Sequence, residues 1–118
     1  MKVYSSFLSK IKKRKSSVLV IGLGYVGLPL IKLISKKGFR CNGLDVNKTL
    51  ISQLQSDKSL SKINFNYKYE DIDFENIDIV IIALPTPLKS NREPDLSYIN
   101  SAVNKINNKR LKNSLIIL

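Results

Sequence analysis

The segment from Val18 to Asp45 limits most strongly what this chain can fold into. It opens with a short apolar run rich in β-branched residues, which is typical of a buried strand in a parallel sheet. Glycines spaced G-x-G-x-x-G follow directly, and apolar residues then recur at helical spacing up to Gly38. A second strand, predicted from Phe39 to Leu44, ends at Asp45. This order of strand, glycine turn, helix, strand and acid is typical of a dinucleotide-binding βαβ unit.

Each glycine of this motif has a physical reason for its place. Gly22 permits a tight turn after the strand, Gly24 lets a pyrophosphate approach the backbone, and Gly27 lets the helix pack closely. The N–H groups at the helix N-terminus offer partial positive charge to the phosphates. Asp45 can accept hydrogen bonds from both hydroxyls of an adenosine ribose, and its charge would repel a 2′-phosphate. The sequence therefore predicts NAD as the cofactor, in preference to NADP.

Two other interpretations of this segment remain open. A nucleoside-cofactor site such as that of a methyltransferase uses a similar turn and acid, and a glycine-rich turn can also exist without any ligand. The apolar positions of the first helix predict which side packs on the sheet. Its inner face is expected to contain Val26, Leu30, Leu33 and Ile34, with Ile31 at the border.

The rest of the chain continues to alternate strands and helices. The pattern predicts a helix at 48–55, an edge strand at 63–69, a central strand at 79–84, a helix opening near Asp95 and closing at 107–110, and a strand at 114–118. We therefore predict an α/β fold, a doubly wound parallel sheet of the Rossmann type with strand order 3-2-1-4-5. Because ligands bind beyond the carboxyl ends of such strands, Thr86, which follows the central strand, is predicted to lie near the cofactor.

The composition excludes several classes of site. The 118 residues contain no histidine and one cysteine, so they hold no Ser-His-Asp triad, no histidine-ligated metal and no internal disulfide. Cys41 lies early in the second predicted strand, away from the strand ends, and is predicted to be a small core residue. There is neither a membrane-spanning apolar run nor a signal-peptide core, which favours a cytoplasmic location.

The net charge of +11 raises the possibility of an anionic partner. Residues 1–17 are basic and contain no acid, and Phe7, Leu8 and Ile11 fit one side of a short amphipathic helix. Such a leader can act as an arm for nucleic acid or for an anionic membrane. Lysines are scattered along the whole chain, however, so we predict a solvated basic leader ahead of a domain at 18–118, with neither nucleic acid nor membrane as a partner.

Four motifs in combination resemble a known family. They are IGLGYVGLPL at 21–30, GLDVN at 43–47, ALPTPL at 83–88 and REPDLSYI at 92–99. Together they are similar to the N-terminal NAD-binding domain of the UDP-glucose/GDP-mannose dehydrogenase family. The last motif most resembles the UDP-N-acetylhexosamine 6-dehydrogenase branch.

The resemblance implies an NAD-dependent enzyme that oxidises the C6 alcohol of a UDP-sugar, UDP-N-acetylhexosamine or UDP-glucose, to a carboxylate for polysaccharide precursor synthesis. It implies a nucleotide-sugar substrate and a homo-oligomer for the full-length enzyme. Matched residue by residue, Tyr25 and Val26 correspond to cofactor contacts in the glycine turn. Asp45 corresponds to the acid that holds the ribose, and Thr86 to a threonine on the nicotinamide side.

The chain also departs from the family pattern. Leu50 occupies a position where the family often has Lys or Arg, with Lys48 as a possible substitute, and the stretch between Leu54 and Asp78 is shorter than in the family. The chain is expected to end at about the fifth strand, before the catalytic half, so that it contains an incomplete Rossmann domain with no catalytic residue and no metal ligand. The alternative function is a truncated, non-catalytic fragment that binds a dinucleotide.

Overall fold

A five-stranded parallel sheet organises the structure, a computed structural model that describes residues 2–107 and 114–118. The strands are β1 (Ser17–Ile21), β2 (Arg40–Leu44), β3 (Ile63–Asn66), β4 (Ile79–Ile82) and β5 (Leu115–Ile117). Their spatial order is β3-β2-β1-β4-β5, and every neighbouring pair is parallel. The predicted fold class and strand order are therefore confirmed.

Helices connect the strands. They are α1 (Lys2–Lys12), α2 (Gly27–Lys36), α3 (Lys48–Ser56) and α4 (Ser97–Asn107), with short 3₁₀ segments at Lys58–Leu60, Tyr69–Asp71 and Phe74–Asn76. The predicted closure of the last helix at 107–110 lies mostly outside the described residues. No helix in the described part of the chain is long and apolar enough to cross a membrane.

The core consists of two apolar layers, one on each side of the sheet. Alternate residues of β1 point to opposite layers: Val18 and Val20 face α2 and α3, whereas Leu19 and Ile21 face α4. All five residues of β1 are buried, because this strand lies at the centre of the sheet with both faces covered. The strand is apolar at every position because layers of side chains cover both of its faces, as the sequence predicted for a buried parallel strand.

The predicted inner face of α2 was only partly correct: Ile34 packs against the buried core, but two other predicted residues do not. Val26 precedes the helix and is 68% exposed, and Leu33 is 53% exposed, whereas Ile31 is completely buried. The rotation of the helix is set by Gly27, which is buried where the helix approaches the preceding turn. Ile31 lies one turn after Gly27 on the same side of the helix. This side faces the sheet, rather than the side on which the sequence is most apolar.

The first part of the basic leader forms helix α1. Helix α1 has no fully buried residue, but Phe7 and Ile11 are half-buried. Lys10 Nζ lies 3.1 Å from Asp78 Oδ1, and Asp78 Oδ2 accepts a hydrogen bond from the Ser17 N–H at 2.9 Å. These contacts place α1 at the edge of the sheet where β1 and β4 begin, while most of its residues remain exposed.

The rotation of α2 can be tested with two truncations in the same helix. Ile31→Ala should lower the free energy of unfolding by about 3 kcal/mol, because it removes buried methyl groups and leaves a cavity. Leu33→Ala is the matched control and should cost less than about 1 kcal/mol, because its side chain is half-exposed. Urea denaturation measures both values, and equal losses would contradict the orientation described here.

Candidate functional site

The carboxyl ends of β1, β2 and β4 meet at the glycine turn. Gly22 N–H donates to the Leu44 carbonyl at 2.8 Å, and Ala83 N–H donates to the Ile21 carbonyl at 2.7 Å. The turn is thereby held between the ends of β2 and β4. The connection that leaves β1 runs along one side of the sheet, whereas the connection that enters β4 comes from the other side. A crevice therefore opens between the carboxyl ends of β1 and β4. Open α/β sheets bind their ligands in such a crevice.

Two of the three motif glycines are required by close contacts within the chain. Gly22 has φ = +94°, and a Cβ there would lie 2.6 Å from the Ala83 carbonyl oxygen. A Cβ on Gly27 would lie 1.7 Å from the Gly22 carbonyl oxygen. No side chain fits at either position, so these glycines bring the start of α2 directly against the end of β1.

Gly24 has a different environment. A Cβ on this residue would meet no atom within 4 Å, and the neighbouring Tyr25 and Val26 side chains are exposed. Val26 provides no side-chain hydrogen bond to cap α2. At the start of α2 the Leu28 and Leu30 N–H groups already donate to the carbonyls of Gly24 and Val26, each at 3.2 Å. Among the described residues, the N–H groups of Tyr25, Val26 and Gly27 donate to no carbonyl and are left as donors. This arrangement has room for an anionic group such as a pyrophosphate and suitable donors for it.

Asp45 connects the glycine turn to the start of α3. Its Oδ2 accepts a hydrogen bond from the Leu23 N–H at 3.0 Å, and its Oδ1 accepts one from the Asn47 N–H at 2.9 Å. The side chain is half-buried, and each carboxylate oxygen retains capacity for a further hydrogen bond. The carboxylate is therefore fixed beside the turn and is still able to accept ribose hydroxyls. The sequence motif did not indicate this bond to Leu23.

Thr86 lies on the loop after β4, at the same edge of the sheet. The loop is organised by a bridge between Leu88 and Pro94, and the Pro87 carbonyl accepts the Asp95 N–H at 2.7 Å. Thr86 itself is exposed, and among the described residues no hydrogen bond joins it to the glycine turn or to Asp45. The structure thus brings Gly22, Gly27 and Asp45 together and leaves Thr86 on the rim.

Asp95 begins the segment that leads into α4. The helix starts at Ser97, two residues after Asp95, close to the predicted opening. Asp95 Oδ1 accepts the Ser97 N–H at 2.9 Å, and hydrogen bonds from Ser97 lower the pKa of this carboxyl group. Asp95 therefore stabilises the first turn of α4 and the end of the Thr86 loop together.

Tyr69 is a neighbour of the site that sequence reasoning missed. Its side chain is buried in the same apolar layer as Leu44, the residue that precedes Asp45. Burial and, to a smaller extent, the charge of Asp45 raise the pKa of the Tyr69 hydroxyl. Lys105 Nζ lies 4.9 Å from the ring centroid. The position of Tyr69 shortly after β3 is the only sequence feature that places it near the carboxyl edge of the sheet. It belongs to no recognisable motif.

Cys41 is a core residue, as predicted. It is buried between β1 and β3, where it is paired in register with Val18 and Ile63. Burial raises the pKa of its thiol to about 11, so the reactive thiolate is disfavoured at neutral pH. No group of three or more potential ligands for a metal ion occurs among residues 2–107 and 114–118.

Comparisons with known proteins indicate one family. The UDP-glucose/GDP-mannose dehydrogenase family, NAD binding domain, matches residues 16–118. The chain belongs to this family. The UDP-N-acetyl-D-mannosamine dehydrogenase of Campylobacter jejuni is 32% identical over 115 residues, which cover 87% of this chain and 28% of that protein. The UDP-N-acetyl-D-glucosamine 6-dehydrogenase of Pseudomonas aeruginosa is 30% identical over 112 residues, covering 85% of this chain and 26% of its own length.

Solved structures give the same relationship. The UDP-D-ManNAc dehydrogenase of Pyrococcus horikoshii superimposes with a TM-score of 0.74 at 26% identity, over 85% of this chain and 27% of that one. The UDP-N-acetyl-mannosamine dehydrogenase of Staphylococcus aureus gives a TM-score of 0.72 at 29% identity, over 86% of this chain and 28% of that one. The chain thus spans about a quarter of the length of the relatives that it matches.

The two kinds of motif glycine should respond differently to substitution. Gly27→Ala should lower the free energy of unfolding by about 3 kcal/mol or more, because the added methyl group collides with a backbone carbonyl. Gly24→Ala adds the same group in open space and should cost less than about 1 kcal/mol. Chemical denaturation distinguishes the two, and a stable Gly27→Ala variant would contradict the close contact.

The buried thiol predicts a dependence of stability on alkaline pH. Because folding raises the pKa of Cys41 from 9.0 to about 11, its contribution to stability is complete below pH 9 and is lost as the pH rises through 11. Between these limits the wild type should lose up to about 2 kcal/mol more than Cys41→Ala, measured by urea denaturation at each pH. If stability depends on pH in the same way in both proteins, burial does not raise the pKa of the Cys41 thiol.

Proposed function

We propose that this chain forms the cofactor-binding part of an NAD-dependent dehydrogenase that oxidises the C6 alcohol of a UDP-sugar to a carboxylate. The observation that carries the proposal is the hydrogen bond between Leu23 N–H and Asp45 Oδ2. It places a fixed carboxylate beside a glycine turn and an uncapped helix N-terminus, at the carboxyl edge of a doubly wound sheet. That combination suits a ribose joined to a pyrophosphate.

The site residues act together in this proposal. Gly22 and Gly27 shape the turn, and Gly24 with the backbone at Tyr25 and Val26 holds the pyrophosphate. Asp45 accepts the hydroxyls of the adenosine ribose, and Thr86 lines the nicotinamide side. When bound, NAD supplies the acceptor for the hydride that leaves the alcohol carbon.

The protein groups that bind the sugar and remove the alcohol proton are proposed to lie in the part of the relatives that this chain does not match. The chain contains no histidine, and burial and a raised pKa make Cys41 a poor nucleophile. We accordingly assign no catalytic residue within residues 1–118. The leader at 1–17 and the cofactor domain at 18–118 remain the proposed division of the chain.

The names of the relatives support a particular class of substrate. Those compared above are a UDP-N-acetyl-D-mannosamine dehydrogenase and a UDP-N-acetyl-D-glucosamine 6-dehydrogenase. We therefore favour a UDP-N-acetylhexosamine over UDP-glucose, in the synthesis of polysaccharide precursors. The complete enzyme is proposed to be a cytoplasmic homo-oligomer.

The role of Asp45 is tested with Asp45→Asn, which keeps the size of the side chain and removes its charge. The Kd for NAD should rise about tenfold or more, because hydrogen bonds from the ribose to a charged acceptor are replaced by weaker ones. Isothermal titration calorimetry on the 118-residue chain measures the change. Asp73→Asn is the matched control, since Asp73 lies in a pocket at the opposite edge of the sheet with Arg40 and Cys41.

Two outcomes would contradict the proposal. If the wild-type chain is folded and binds no dinucleotide, the proposed cofactor site is wrong. A domain that does not bind a dinucleotide is then favoured. If NAD binds and Asp45→Asn changes its Kd no more than Asp73→Asn does, then another group holds the ribose.

A further inference from the structure

Exposed positive charge is concentrated at the amino edge of the sheet, at the opposite end of α2 from the glycine turn. The end of the leader contributes four cations to this place, and the end of α2 contributes two. All six side chains are exposed, and none of them forms an ion pair with a carboxylate within residues 2–107 and 114–118. We call these residues the basic surface: Lys12, Lys13, Arg14, Lys15, Lys36 and Lys37.

A hydrogen-bonded turn holds the cations of the leader in place. The Lys15 N–H donates to the Lys10 carbonyl at 2.8 Å, and the Arg14 N–H donates to the Ile11 carbonyl at 3.0 Å. Arg14 has φ = +57°, and this left-handed residue together with the two bonds forms a Schellman motif at the end of α1. The backbone that carries Lys13, Arg14 and Lys15 therefore has a defined conformation.

The same turn brings the leader against the end of α2. A Cβ added at Gly38 would lie 3.7 Å from Cδ of Arg14, and Gly38 directly follows Lys36 and Lys37. Cations that are scattered in the sequence, and that favoured a solvated leader there, thus meet in the fold. Like charges held side by side repel one another, and a partner with many negative charges would relieve that repulsion.

Helix α1 adds exposed apolar side chains beside this charge. Tyr4 is 62% exposed and Leu8 is 36% exposed, whereas Phe7 and Ile11 are half-buried. Tyr4, Leu8 and Lys12 are spaced four residues apart, which places them along one line of the helix. A basic helix that exposes aromatic and aliphatic side chains is typical of segments that lie in the interface of a membrane. Binding to nucleic acid would use the cations and leave this apolar line exposed.

We propose that the basic surface and the line of Tyr4 and Leu8 together bind the surface of a membrane that contains anionic phospholipids. Helix α1 lies among the headgroups in this arrangement, with the two apolar side chains inserted and the cations beside lipid phosphates. The glycine turn and Asp45 lie at the carboxyl edge of the sheet, so the crevice there stays open to solvent. The family match begins at residue 16, and α1 precedes it.

Sedimentation of the 118-residue chain with lipid vesicles tests the proposal. Vesicles of mixed phosphatidylcholine and phosphatidylglycerol should pellet the protein, whereas vesicles of phosphatidylcholine alone should leave it in the supernatant. Binding should also weaken as salt is added. The variant Lys13→Gln/Arg14→Gln/Lys15→Gln should raise the Kd for the mixed vesicles at least about thirtyfold, because each basic residue near an anionic surface strengthens binding about fivefold.

A matched control removes the same three side-chain types from the carboxyl edge of the sheet. It is Lys68→Gln/Lys89→Gln/Arg92→Gln, in which all three side chains are exposed and lie on the segments that follow β3 and β4. These positions are remote from α1, so the Kd for the mixed vesicles should rise less than about threefold.

The apolar line is tested by Tyr4→Ser/Leu8→Ser, which leaves the net charge unchanged. The Kd for the mixed vesicles should rise at least about tenfold, because both side chains lose apolar contact with lipid. The Kd for a short DNA duplex should stay the same. Thermal denaturation checks that each variant is folded. If the triple variant of the leader unfolds, Lys36→Gln/Lys37→Gln replaces it and should raise the vesicle Kd at least about tenfold.

Three results would overturn the proposal. If the control variant weakens vesicle binding as much as the leader variant does, net charge rather than this surface explains the binding. If Tyr4→Ser/Leu8→Ser binds the mixed vesicles unchanged, or if duplex DNA binds more tightly than the vesicles, the partner is a nucleic acid or another polyanion. If neither kind of vesicle pellets the wild type, the basic surface is only solvated. Each result can be obtained whether or not the chain binds NAD.

Discussion

The close approach of Gly27 to the Gly22 carbonyl is the contact on which the rest of the site depends. It is possible only because neither residue has a side chain, and it brings the start of α2 against the end of β1. The start of α2 then lies at the carboxyl edge of the sheet, and the Leu23 N–H in the intervening turn donates to Asp45. The same contact sets the rotation of α2 and buries Ile31 rather than Leu33.

Asp45 combines a structural and a proposed binding role. By accepting hydrogen bonds from the Leu23 and Asn47 N–H groups, its carboxylate joins the glycine turn to the start of α3. These two bonds hold the carboxylate in place, which would reduce the cost of ordering the proposed ribose site on binding.

The strand order and the glycine turn could be predicted because both follow from local patterns. Apolar runs such as β1 identify central strands, and G-x-G-x-x-G before a helix restricts the turn to one geometry. The buried face of α2 could not be predicted in full. Hydrophobic periodicity identifies an apolar stripe along the helix, but the tertiary contact at Gly27 decides how the helix is rotated against the sheet. The meeting of Lys48 with Tyr67, and of α1 with Asp78, joins residues far apart in sequence, so no local pattern indicates either contact.

We propose that a dinucleotide binds where the glycine turn meets Asp45. Titration of the ¹⁵N-labelled chain with NAD, followed residue by residue by NMR, tests it most directly. The amide signals of Gly24, Val26 and Asp45 should shift and saturate together, while those of Arg40 and Asp73 at the opposite edge should stay in place. Signals that do not move at saturating NAD, or that move mainly at Arg40 and Asp73, would contradict the claim.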